Sequence, residues 1–166
     1  MISFREYINE SNRKTSRSRR MYETIETVHP KNKDELVRIL QNYFDREEPD
    51  WKCDLNWIDT SKITDMSNLF SHTSESSGKY GLGRFNGDIS KWNVSKVKDM
   101  EYMFYESKFN RDISKWNVSK VEDMGYMFTK SKFNGDISKW DVSDVEEMDK
   151  MFLGSSLEGN KPDWYK

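Results

Sequence analysis

The sequence predicts an α/β repeat protein: a short solenoid of 24-residue units, each a short strand plus a short helix or 3-10 turn, behind an N-terminal helical cap. Three observations predict it. Residues 85–104 (FNGDISKWNVSKVKDMEYMF), 109–128 (FNRDISKWNVSKVEDMGYMF) and 133–152 (FNGDISKWDVSDVEEMDKMF) are near-copies at a constant offset of 24 residues. Self-similarity at that period marks stacked units, none of which can bury its apolar face alone. The recurring positions are also the large apolar ones. They form an expected structural ladder of Ile89, Trp92, Val97, Met100 and Phe104, then Ile113, Trp116, Met124 and Phe128, then Ile137, Trp140, Met148 and Phe152. Finally, 34% of residues are hydrophobic and 34% charged, lean for a compact ball but sufficient for a core drawn out as a thin line of aromatics.

Taken in order, the chain divides into a leader at 1–10, a basic linker at 11–21, a strand-helix cap at 22–52 and the repeat array at 53–166. In the cap, residues 22–28 mix Thr, Ile and Val as a short strand does, and Pro30 punctuates it. Asn32 with Glu35 three residues on has the form of a capping box. Leu36, Ile39, Leu40, Tyr43 and Phe44 then make one apolar stripe of a helix expected to end near Glu48, before Pro49. Residues 53–70 are a degenerate first repeat: Leu55, Ile58, Ile63, Met66 and Phe70 stand for Ile89, Trp92, Val97, Met100 and Phe104. The offset there is 34, so the extra residues must bulge as an inserted loop, 71–84, rich in Ser and Gly. Leu157 and Trp164 reproduce the spacing of Phe109 and Trp116, which makes 157–166 a closing half-repeat interrupted by Pro162.

Within each unit, Ser95, Ser119 and Ser143 are expected to cap a short helix or 3-10 turn, with Glu122 and Glu146 completing capping boxes. Asp88-Ile89-Ser90 and its equivalents read as very short strands that pair in parallel from unit to unit. Asn86-Gly87 suggests a turn, and Arg111 in place of Gly87 implies that no glycine-only backbone angle is needed.

The pattern V-x-x-M-x-x-M-F-x-x-S followed by F-N-x-D-I resembles the BspA-type leucine-rich repeats of bacterial and mycoplasma surface lipoproteins, from about Val28 onward. The resemblance implies a right-handed solenoid that binds other proteins or surfaces and is not an enzyme. Surface members carry a secretion or lipoprotein signal, and the N-terminus here lacks the hydrophobic core of one. Instead Met1, Phe4, Glu6, Tyr7, Ile8 and Glu10 resemble the capsid-targeting leader of internal head proteins in T-even-type phages. That resemblance implies cleavage after Ile8-Asn9-Glu10 by a prohead protease. The linker carries Arg13, Lys14, Arg17, Arg19 and Arg20 with no acid, a solvated tether in its main reading. Its other reading is a weak, sequence-independent contact with nucleic acid through 13–20.

A net charge of −2 gives no general affinity for nucleic acid or anionic membrane, and no apolar run approaches membrane-spanning length. His29, His72 and the single cysteine, Cys53, supply neither metal spacing nor a catalytic triad, so no catalytic residue, metal or cofactor is expected. Asn86 and Asp88 fit backbone-bonded turns better than calcium ligands, and the Trp92, Trp116, Trp140 column fits a core ladder better than a sugar- or base-stacking platform. Binding determinants belong where the repeats differ: Glu101, Tyr102, Tyr105, Arg111, Tyr126, Lys130 and Lys150, with Lys79, Tyr80 and Arg84 from the inserted loop. The expected function is a monomeric, non-catalytic protein-binding module, packaged in a phage head and delivered to the host cytoplasm to act on a host factor. The rivals are a surface or cytoplasmic repeat protein with no packaging role, and an inhibitor of a host enzyme acting through loop 71–84.

Overall fold

The computed structural model of the protein describes residues 27–45, 50–72 and 82–166. The leader, the linker and most of the inserted loop, including Lys79 and Tyr80, lie outside the described residues.

One α-helix, α1 (Lys33–Phe44), is present among the described residues. Asn32 Oδ1 accepts from the Glu35 amide at 3.0 Å, as an N-cap should. The return bond differs from the expected box, because Glu35 Oε2 accepts from Lys31 N at 3.0 Å. The stripe Leu36, Ile39, Leu40, Tyr43 and Phe44 is buried, and Phe44 stacks on Trp51 at 4.6 Å and meets Phe85 edge-on at 5.9 Å. The helix therefore closes the N-terminal end of the stack. It stops at Phe44, short of the expected end, with the Asp45 amide folded back on the Gln41 carbonyl at 2.8 Å.

The repeats overturn the expected fold class. Among the described residues they contain no α-helix and no strand longer than an isolated bridge, so a leucine-rich-repeat solenoid of strand-plus-helix units is not formed. The reason is local. Three times in each of the first three units, and twice in the fourth, a short acidic or amide side chain bonds the backbone amide two residues on, which makes a turn and competes with both helix and strand. In the second unit Asp88 Oδ1 takes Ser90 N at 2.9 Å, Asn93 Oδ1 takes Ser95 N at 3.1 Å and Asp99 Oδ1 takes Glu101 N at 2.8 Å. Ser95, Ser119 and Ser143 therefore cap nothing; their hydroxyls donate to Asn93, Asn117 and Asp141. Nor does Glu122 complete a box, since its carboxylate accepts from Lys98. The expected strand at 22–28 is visible only as the bridge Val28↔Ile58, and its first residues lie outside the described ones.

Turn-built units nonetheless stack in parallel register. Bridges link Asp65, Asp99, Asp123 and Glu147 in succession. Beside them, the amides of Met100, Tyr102, Phe104 and Glu106 donate to the carbonyls of Asp123, Gly125, Met127 and Thr129 at 2.8–2.9 Å. The same four-bond row recurs at the interfaces on either side. Two phenylalanine columns run through the core: Phe70, Phe104, Phe128 and Phe152, with near-parallel rings 5.5–5.9 Å apart, and Phe85, Phe109 and Phe133 at 6.1–6.2 Å. A third column explains the tryptophans. Trp92, Trp116, Trp140 and Trp164 each donate Nε1 to the carbonyl of Leu55, Ile89, Ile113 and Ile137 in the preceding unit, at 3.0–3.3 Å. Indole supplies bulk and one donor to a buried carbonyl, which phenylalanine cannot do.

Gly87 has no positive φ, yet it is needed for another reason: a Cβ there would lie 2.0 Å from the Cys53 carbonyl oxygen. The tight contact is with the first unit, so Arg111, one unit further on, is free to carry a side chain.

Candidate functional site

The structural-ladder residues Ile89, Trp92, Val97, Met100, Phe104, Ile113, Trp116, Met124, Phe128, Ile137, Trp140 and Phe152 are all buried, whereas Met148 is only partly so. What remains for solvent is set by the tight turns at the end of each unit. The Met103 amide bonds the Met100 carbonyl at 3.1 Å, enclosing Glu101 and Tyr102; the Ser107 amide bonds the Phe104 carbonyl at 3.1 Å, enclosing Tyr105 and Glu106. The second enclosed residue of such a turn takes positive φ, a conformation that usually selects Gly or Asn. Asn68 and Gly154 obey that preference, while Tyr102, Glu106, Tyr126, Lys130 and Lys150 hold φ of 54–56° with full side chains. For Tyr102, Glu106, Tyr126 and Lys130 the stack enforces it, because their amides bond the next unit, Tyr102 N to Gly125 O at 2.9 Å and Lys130 N to Leu153 O at 2.8 Å, bonds that would be lost on relaxation. Each such residue costs on the order of 1 kcal/mol.

The result is a face of half-buried tyrosines edged by the exposed Lys130 and Lys150. Tyr102 and Tyr126 stack at 4.7 Å with rings within 5° of parallel, and Tyr105 meets Tyr102 edge-on at 5.3 Å. Lys150 Nζ donates to the Tyr126 hydroxyl at 3.1 Å and lies 5.4 Å from that ring's centre. Lys130 Nζ pairs with Glu106 at 2.9 Å and lies 5.8 Å from the Tyr105 ring. Burial, with Tyr126 and Glu101 nearby, pushes the Tyr102 hydroxyl up, so it stays a neutral donor. The Tyr126 hydroxyl raises the Lys150 ammonium, and the Lys130–Glu106 contact raises the lysine and lowers the acid. At neutral pH the face thus offers phenols, two ammonium groups and one carboxylate beside Leu153, which is 48% exposed.

Of the residues expected to bind a partner, Tyr102, Tyr105, Tyr126 and Lys130 come together here, with Lys150. Arg84 and Arg111 do not: Arg84 lies over Trp51 at 5.3 Å, and Arg111 Nε donates to the Asn86 carbonyl at 2.9 Å. Glu106 and Leu153 were not foreseen. Their signal was in the sequence, since Glu106, Lys130 and Gly154 occupy one variable column and Tyr105, Thr129 and Leu153 the next.

Among the described residues, no group of three or more His, Cys, Asp or Glu is arranged to hold a metal ion, and no helix is long and apolar enough to cross a membrane. A family model described as "Mycoplasma protein of unknown function, DUF285" matches residues 38–164, most of the chain. The chain belongs to the DUF285 family. The match starts inside α1 and runs through Trp164, so the last half of the cap and the whole turn stack of this DUF285 chain lie within the family's unit. No curated protein and no solved structure gives a significant match.

Proposed function

We propose that this DUF285 chain is a non-catalytic protein-binding module that docks its partner on the Tyr102–Tyr126 face. The observation that carries the reading is the set of half-buried tyrosines and exposed lysines, Tyr102, Tyr126, Lys130 and Lys150, held at positive φ. Side chains pre-set by the stack lose little freedom on binding, and tyrosine is among the residue types that dominate binding energy. Lys130 and Lys150 suit carboxylates and carbonyls on the partner's rim. The leader at Met1, Phe4, Glu6, Tyr7, Ile8 and Glu10 supports a phage context, with packaging in the head and delivery to a host factor.

Capture of host-lysate proteins by the intact chain tests the docking face. The Tyr102→Ala, Tyr126→Ala, Lys130→Ala triple variant should lose at least tenfold of any specific capture. A Lys91→Ala, Lys115→Ala control should not. Equal loss in both, or none in the triple variant, defeats the assignment. For the context, purified virions should contain the chain with Ser11 as its mature N-terminus; absence from virions refutes packaging.

A further inference from the structure

The two ends of the stack are unlike. Helix α1 closes the first unit, whereas the half-repeat at the other end covers only part of the fourth. Trp164 Nε1 donates to the Ile137 carbonyl at 3.1 Å, and the Trp164 and Tyr165 rings lie against Phe152. Residues 142–150 have no successor among the described residues. Val118, Val121 and Met124 are buried in the third unit, while their equivalents Val142, Val145 and Met148 are only partly covered. The Met124 and Tyr126 amides donate to Glu147 and Asp149 at 2.7 and 2.9 Å, but those of Met148 and Lys150 have no acceptor among the described residues.

This edge has a definite chemistry. Val145 and Met148 are half-buried against the core, and Glu146, Glu147 and Asp149 between and beyond them are exposed. Asp144 is exposed as well, in the column that carries Lys96 and Lys120 in the two units before. None of these four acids forms an ion pair among the described residues, whereas Glu122, one step earlier in the Glu146 column, is paired with Lys98. The nearby cations are engaged elsewhere, Lys150 on the Tyr126 hydroxyl and Lys161 over the Tyr165 ring.

These features select an occupant. In the row through Met124 and Tyr126 the earlier unit gives amides and the later one carbonyls, so the edge offers donors. A second copy would bring the same donors and the same acids to that edge, and its other end is closed by α1. An extended segment with carbonyls free, apolar side chains on one side and bases on the other meets the donors, the half-covered strip and the charge together.

We infer that the open edge of the fourth unit takes an extended basic segment of a partner protein, with its carbonyls on the Met148 and Lys150 amides and its bases against Glu146, Glu147 and Asp149. The site goes beyond the tyrosine face and is independent of it, since Lys150 gives its amide here and its ammonium there. Charges this close to solvent make the docking salt-sensitive.

The test is amide hydrogen exchange on the full chain with a peptide of about eight residues, lysine alternating with valine, long enough to lie along the edge as a strand. At low salt the peptide should slow exchange of the Met148 and Lys150 amides at least tenfold, and the effect should vanish at high salt. A glutamate-valine peptide should give no protection. A Glu146→Lys, Glu147→Lys variant should lose the effect while its Met100 amide stays protected, which shows the stack intact. The Tyr102→Ala, Tyr126→Ala, Lys130→Ala variant should keep it, so this inference and the tyrosine-face reading fail separately. No slowing by the lysine peptide, equal slowing by the glutamate peptide, or slowing that survives the charge reversal overturns the inference. So does protection of both amides in the free chain: if it rises with protein concentration a second copy holds the edge, and if it does not the edge is covered within the molecule.

Discussion

Phe128→Ala probes whether stacked rings hold adjacent turns together. Phe128 is fully buried and lies 5.5 Å from Phe104, 5.9 Å from Phe152 and 4.5 Å from Phe133, with the Trp140 ring at 6.4 Å. Replacing a buried phenylalanine by alanine costs about 3–5 kcal/mol. Total stability of a domain is about 5–15 kcal/mol, so the loss is a large share. Its consequence differs from that in a globule, because each unit touches only its neighbours. A gap at the third unit weakens coupling on both sides, and urea unfolding should show a lower midpoint together with a shallower or biphasic transition. Phe128→Leu restores most of the apolar volume but none of the three close ring contacts, each worth about 0.5–1.5 kcal/mol, and should fall between the two. A Phe128→Ala loss below about 1.5 kcal/mol with a single steep transition would refute the reasoning, since it would mean the ring columns are not what couples the units.

Two further outcomes follow from local geometry. Burial, aided by Asp65 and Asp123, raises the Asp99 carboxyl, so its charge opposes folding: as pH climbs through the ordinary carboxyl range the unfolded chain gives up this proton first, and stability falls until the folded group has also ionised. Asp99→Asn keeps an acceptor for the Glu101 amide and should stabilise the protein near pH 7 by roughly 0.5 kcal/mol; thermal melts should show the gain disappearing below the ordinary carboxyl range, and a gain unchanged there would remove the electrostatic cause. Gly87→Ala places a Cβ 2.0 Å from the Cys53 carbonyl and should cost several kcal/mol by opening the first interface, on the scale of overpacking. Gly125→Ala, whose nearest atom is an Asp123 carboxylate oxygen at 3.2 Å, should melt within a few degrees of the natural chain, and equal damage at both sites would contradict the close-approach argument.

Periodicity alone marked the 24-residue offset, and the parallel bridges joining Asp99, Asp123 and Glu147 keep that register. An offset of 24 residues repeated through Trp, Ile, Met and Phe leaves no other way to hide those side chains than against their own copies. The capping helix was legible for a similar reason, since its stripe and its Asn32 cap are both local. Backbone conformation inside the repeat was not. D-I-S, N-V-S and D-M-x read equally well as strand, helix cap or turn, and what decides is whether the side-chain oxygen bonds the amide two residues on, as Asp88, Asn93 and Asp99 do. Likewise the sequence marked Tyr102, Tyr126 and Lys130 as variable, but variation says nothing of direction. Only the rows of amides donating from unit to unit force those residues to positive φ and turn their side chains out as one face. Sequence determined which residues must be shared between neighbouring turns; the hydrogen bonds between those turns, which join residues 23 or more positions apart, decided the shape each turn takes.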